Sequence, residues 1–252
     1  MQRHPVLRTA AGVSQAETTS HPCDPGSRVR VENDAGLIEI SAWDRDTLEL
    51  TAYRHAPDEA GLVQLAVELS QTADGILVTY TAPQALPNCW VDFTIRCPRM
   101  VSLDLHNASG EILMSGFHGQ SRAATASGTI RAARMRGTST LTSASGRIDG
   151  AALEGTVYAR SASGGVTLHG QLSGSHRVET ASGDIVVDGV QGSIDARSAS
   201  GSITVGGRLS HPTALRTVSG NITVRLGPGS PIAAAALPAQ TTSGTIEVSE
   251  AN

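Results

Sequence analysis

A Ser-Gly step recurs eight times in the second half of the chain: Ser109-Gly110, Ser127-Gly128, Ser145-Gly146, Ser163-Gly164, Ser182-Gly183, Ser200-Gly201, Ser219-Gly220 and Ser243-Gly244. The intervals are 18, 18, 18, 19, 18, 19 and 24 residues. A fixed short period belongs to a chain whose repeats stack, each burying on its neighbour a face it cannot bury alone. Two residues after each glycine stands Ile112, Ile130, Ile148, Val166, Ile185, Ile203, Ile222 or Ile246. Two further on the residues are again mostly apolar, from Met114 to Val248. Apolar residues at period two predict a strand with one buried face, so these eight positions form the expected core ladder.

A second strand closes most repeats, as in Val157, Ala159 and Ser161. The corner between coils then carries Thr or Ser two residues before the Ser-Gly step: Thr125, Ser143, Ser161, Thr180, Ser198, Thr217 and Thr241. Stacked hydroxyls can hydrogen-bond along the column. Glycine there accepts positive φ or a close backbone approach, which makes Gly110, Gly128, Gly146, Gly164, Gly183, Gly201, Gly220 and Gly244 the expected structural corners. A coil this slim has little room for rings, in keeping with an aromatic content of 3%. Outward residues at matching positions become neighbours, so Arg131 is expected beside Asp149 and Arg177 beside Asp195. Arg160, Glu179, Arg197 and Arg216 form a further column. The 24-residue interval, with Gly227-Pro228-Gly229-Ser230-Pro231, reads as a protruding loop.

The expected fold is all-β: a single-stranded β-solenoid (β-helix) of about eight 18–19-residue coils over residues 107–252. Residues 27–106 read as a β-rich N-terminal capping region continuous with it. Their alternation runs through Val29 and Val31, Ile38 and Ile40, Leu48 and Leu50, and Val91, Phe93, Ile95 and Cys97. Asn33-Asp34-Ala35-Gly36 looks like a diverged corner, and Asp44-Arg45-Asp46 a hairpin turn. Residues 1–26 lack periodicity and read as a flexible arm. They contain no apolar run of signal-peptide type, and no stretch is long and apolar enough for a transmembrane helix.

Three segments together resemble a bacterial family of putative adhesins, a domain of unknown function. They are Asn33-Asp34-Ala35-Gly36-Leu37-Ile38-Glu39-Ile40-Ser41-Ala42-Trp43-Asp44-Arg45-Asp46, then Val91-Asp92-Phe93-Thr94-Ile95-Arg96-Cys97-Pro98 with Val101-Ser102-Leu103-Asp104-Leu105, then the iterated Ser-Gly-x-Ile. The resemblance implies a β-solenoid and a cell-envelope or surface location, and it carries over no catalytic residue. The absence of a leader or anchor in the sequence keeps a cytoplasmic location open.

Other functions on stacked coils leave different marks. An aliphatic every six residues, as in left-handed β-helix acyltransferases, fails at His118 and Ala124 after Ile112 and at Arg136 and Thr142 after Ile130. Paired glycines occur at Gly164-Gly165 and Gly206-Gly207 without the aspartates of a calcium-binding roll. The nearest approach to the carboxylate cluster of a polysaccharide-cleaving enzyme is Asp149, Asp184, Asp188 and Asp195. The eight histidines show no zinc spacing; His118 and His169 fall near corners and His176 in an inward slot. Thr167, Thr204 and Thr223 share an outward position that Val186 interrupts. Cys23, Cys89 and Cys97 are no disulfide framework. A net charge of −4 with scattered arginines disfavours nucleic acid. The sequence therefore points to a non-catalytic scaffold or binding module, without cofactor or metal. Its partner would be a protein or glycan surface, and its open C-terminal coil offers a route to self-association. A carbohydrate-active β-helix enzyme and an intracellular assembly scaffold are the competing readings.

Overall fold

The computed structural model describes residues 2–9, 12–81 and 88–250. The chain divides into two compact units, residues 1–125 and 126–252, and both are built almost wholly of strands.

In the first unit, three layers stack in parallel. The middle layer is β4 (Arg28–Ala35) with β5 (Ile38–Trp43). On one side lie β8 (Gly75–Thr81) and β9 (Trp90–Pro98), on the other β10 (Ser102–Ser109) and β11 (Ile112–Ser115). Asn33 is opposite Asn107 and Ala35 opposite Ser109, so Asn33–Gly36 does stack on the first Ser-Gly corner. The Asn107 amide donates to the Gly36 carbonyl at 2.8 Å, doing there what a hydroxyl does in the repeats. Val29, Val31, Ile38, Ile40, Phe93, Ile95, Leu105 and Ile112 are fully or almost fully buried between the layers.

Three readings of this region are corrected. Residues 12–22, expected in a flexible arm, form β3 (Gly12–Pro22), antiparallel to β6 (Thr47–Ala56) from Val13–Ala56 to Pro22–Thr47. The strand escaped notice because its buried face carries a charge, Glu17, matched by Arg54 at 3.2 Å. Asp44-Arg45-Asp46 is a bend but no hairpin, since β5 and β6 are not partners. Between them runs β9, parallel to β5 and antiparallel to β6. The region is also not β throughout: α1 (Glu59–Gln64) is started by Asp58, whose side chain accepts the Gly61 N–H at 2.8 Å. Finally β7 (Ala66–Thr72) pairs antiparallel with β8. Both outer strands of the end layer, β8 and β9, are thus covered.

The second unit is a parallel stack. β13 (Ile130–Ala133) and β14 (Arg136–Ser143) both pair with β15 (Ile148–Ser161), which pairs with β16 (Val166–Ser182), then β17 (Ile185–Ser200). β17 pairs with both β18 (Ile203–Leu209) and β19 (Ala214–Ser219), which lead to β20 (Ile222–Leu226) and β21 (Ala239–Ser243). β22 (Ile246–Glu250) follows on β20. Ile130, Ile148, Val166, Ile185, Ile203 and Ile222 lie in register and fully buried. Ile246, read as part of the ladder, is instead 44% exposed, because among the described residues no strand stacks on β22.

At the corners, the hydroxyls of Ser143, Ser161, Thr180, Ser198, Thr217 and Thr241 donate to the carbonyls of Gly128, Gly146, Gly164, Gly183, Gly201 and Gly220, at 2.9–3.1 Å. Those same carbonyls explain the glycines. A Cβ on Gly146 would stand 1.6 Å from the Gly128 oxygen, and one on Gly201 2.1 Å from that of Gly183. Close approach of stacked backbones, rather than positive φ, requires glycine at these two corners.

The 24-residue interval is tied back rather than free. Ile232 is buried, the Gly227 N–H donates to the Gly207 carbonyl at 2.7 Å, and the Arg208 guanidinium to that of Gly229 at 2.8 Å.

Candidate binding surface

The groups that could carry chemistry do not converge. Asp149 pairs with Arg147, Asp195 with Arg177 and Arg197, and Asp184 accepts the Ser202 N–H at 2.8 Å. Asp188 lies beside His169 and Gly206 on another column. Among the described residues no three His, Cys, Asp or Glu side chains are grouped to hold a metal. The cysteines are free thiols. Burial, then Asp24 and Asp46, push the Cys23 thiol up to about 11, and burial holds Cys97 well above its ordinary range. Neither is primed as a nucleophile.

Two polar arrangements were not read from the sequence. His55 stacks on Trp90 with centroids 4.7 Å apart, and its Nε2 lies 3.0 Å from Asp92 Oδ2. Asp92 Oδ1 accepts the Leu37 N–H at 2.8 Å. Burial pushes the Asp92 carboxyl up, but His55 and the Leu37 N–H outweigh it, and the net shift is downward. This pair ties β9 to the corner before β5. In the second unit the residues after the last four corner glycines form a ladder: Asp184 accepts the Ser202 N–H, the Ser202 hydroxyl oxygen that of Asn221 at 3.3 Å, and the Asn221 side-chain oxygen that of Thr245 at 3.0 Å. Its signal was the polar residue at each of these sites.

His176 is a core group. It belongs to one of the 19-residue intervals, where the β15–β16 register slips from Glu154–Gln171 to Tyr158–Arg177. The slip leaves the Val157 N–H without a backbone partner in the ladder, and His176 Nδ1 accepts it at 3.2 Å. In the other 19-residue interval Thr213 Oγ1 does the same for Ile194 at 3.3 Å. The extra residue of each long coil is healed by a side-chain acceptor. Burial lowers the His176 pKa from its ordinary 6.5, with the Leu172 carbonyl opposing. The neutral ring therefore favours the fold, and its contribution is complete above pH 6.5 and lost as pH falls toward the folded-state pKa. His176→Thr is expected to flatten this part of the pH dependence of thermal unfolding. His176→Leu, which orphans the Val157 N–H, is expected to cost about 1–3 kcal/mol at neutral pH. An unaltered melting-versus-pH curve in His176→Thr would contradict this account.

The outward face of β15–β19 carries the ordered charge. Arg160, Glu179, Arg197 and Arg216 stand in register on successive strands. Arg177 and Asp195 flank them; Glu179 lies within 4.0 Å of Arg160, Arg177 and Arg197, and Asp195 within 4.0 Å of Arg177 and Arg197. Beside this column runs a strip of exposed small residues, Ala162, Ala181 and Ala199, ending at Val218, which is 55% exposed. Between them lies an open groove of about 440 Å³, floored by Ser161, Thr180 and Ser198.

The model of the family Toastrack DUF4097 matches residues 102–252. The chain belongs to the Toastrack DUF4097 family. Solved structures similar to this chain share its fold. A putative adhesin from Parabacteroides distasonis is 12% identical, with a TM-score of 0.54, covering 93% of this chain and 97% of that one. A putative adhesin from Bacteroides fragilis is 14% identical, with a TM-score of 0.50, covering 94% and 97%. At such identities the likeness is one of fold. No curated protein matches this Toastrack chain.

Proposed function

We propose that this Toastrack chain is a non-catalytic, adhesin-like binding module of the bacterial cell envelope. About eight coils present outward columns to a surface partner, and the strands β3, β6 and β7 cap the first layers. The observation that carries this reading is the contrast between the two kinds of polar group. In the second unit the buried hydroxyls of the corners and the buried His176 and Thr213 hold corners and slipped registers, while outward charged groups are arrayed in straight columns beside an open groove. Affinity spread over many weak contacts suits such a surface. The two solved structures with the same fold are described as putative adhesins, which is in keeping with it.

Strand addition at the last layer, by a second copy or a partner, is the second reading. It is favoured by Ile246 and by the outer edges of β21 and β22, which have no strand partner among the described residues. Glu250 opposes it, since it occupies the slot in register with buried Leu226, and an inward charge discourages pairing at an edge. The outward face is therefore the preferred surface.

Fractionation of the cells that make the protein, with protease shaving of intact cells, tests the proposal. Removal of the protein by external protease is the expected result. A protein found protected in the cytoplasm would overturn the envelope assignment and favour an internal assembly scaffold.

A further inference from the structure

We propose that the groove beside the Arg160–Arg216 column binds a linear acidic glycan, a carboxylate-bearing polysaccharide laid along the stack with about one sugar per coil. The inference rests on the binding-module reading and names its ligand.

Three observations carry it. The first is charge. The chain as a whole is at −4, yet this face sets Arg160, Arg177, Arg197 and Arg216 against only Glu179 and Asp195. Arg216 makes no ion pair among the described residues and stands in register with another arginine, Arg197, which is already engaged with Glu179 and Asp195. Two adjacent guanidinium groups with one uncommitted are a place for a carboxylate, which arginine grips through two parallel N–H donors.

The second is the pairing of walls. One side of the groove is lined by Arg160, Glu179 and Arg197, with Arg216 continuing the column one strand beyond its end, and the other is the Ala162–Ala181–Ala199 strip. Sugar rings have the same division, with hydroxyl and carboxylate edges around an apolar C–H face. Methyl groups in a flat row accept that face, while Glu179 offers an acceptor to hydroxyls.

The third is spacing. Stacked coils repeat at about 4.8 Å, close to the length of one pyranose ring in an extended chain. An extended peptide advances about 3.3 Å per residue and falls out of step with the columns. The groove thus fits a glycan better than an acidic peptide.

The test is a titration of the full chain with short oligogalacturonate, oligomannuronate and hyaluronan, using their methyl esters and oligoglutamate as comparisons. At least one acidic oligomer is expected to bind, more weakly as salt is raised, and its methyl ester to bind poorly. Arg216→Gln is expected to weaken binding by about tenfold or more and Arg197→Gln/Arg216→Gln to abolish it. Arg136→Gln, on another column and paired with Glu154, should leave binding unchanged. All three proteins should keep the wild-type melting temperature, since the side chains are exposed. The proposal is overturned if no acidic oligomer binds, if Arg136→Gln weakens binding as much as Arg216→Gln, or if oligoglutamate binds as well as the glycan. Surface display measured by shaving is independent of this titration. A shaved protein that ignores every uronate oligomer would remove the ligand and leave the envelope module standing.

Discussion

Ile185→Asp is expected to leave the second unit unfolded. Ile185 is fully buried in the ladder, between Val166 and Ile203 on the neighbouring strands. Truncating a buried isoleucine costs about 2–5 kcal/mol. A carboxyl group in its place adds a desolvation cost of several kcal/mol with no cation in the slot to offset it. The sum rivals the whole stability of a typical domain, about 5–15 kcal/mol. The damage is not confined to one coil, because in a stack each coil is held only by its neighbours. Val186→Asp, one residue along, is the matched comparison. Val186 points outward between Thr167 and Thr204 and is half-buried, so its replacement should cost no more than about 1 kcal/mol. Circular dichroism and thermal unfolding of the two variants measure the difference directly. Similar melting curves for both would show that the inward and outward assignments are wrong.

The second large effect is expected at a corner. Gly146→Ala puts a methyl group 1.6 Å from the Gly128 oxygen and 2.3 Å from its carbonyl carbon, and neither backbone atom can swing aside. The coils must part there. That breaks the Ser143 hydroxyl bond to the Gly128 carbonyl, and with it the geometry in which Ser143 also accepts the Gly146 N–H at 2.8 Å. Overpacking of about 1–3 kcal/mol and two hydrogen bonds at about 1 kcal/mol each give an expected loss of about 3–5 kcal/mol. Gly26→Ala separates this from backbone conformation. Gly26 has φ of +91° but nothing within 4 Å of its missing Cβ, so it should cost only the left-handed penalty of about 1–2 kcal/mol. Denaturant unfolding of both variants reads the two costs. Equal losses would mean that φ, and not the approach of stacked carbonyls, selects glycine in these corners.

The period of the Ser-Gly steps, the inward ladder, the hydroxyl column and the register of Arg160 with Glu179, Arg197 and Arg216 were all legible in the sequence. The reason is physical. In a stack the long-range neighbour of a residue is its own counterpart one period away, so tertiary contacts become a sequence spacing. The same logic exposed the long intervals, although what they do, with His176 and Thr213 capturing stranded N–H groups, emerged only when the register was seen to slip. Outside the period the sequence still showed the alternating core residues and the Asn33–Gly36 corner, but not how the strands pair. Nothing in residues 12–22 marks a strand whose buried charge is answered by Arg54 on another strand. Nothing at Asp44-Arg45-Asp46 shows that β9, some forty-five residues later, comes between β5 and β6. The sequence by itself determined the repeating coil, because each of its contacts is written at a fixed offset. Only the tertiary structure decided the layer order of the first unit, the ladder after the corner glycines and the groove beside the arginine column. Those depend on which unrelated segments meet, and backbone hydrogen bonds between them are indifferent to side-chain identity.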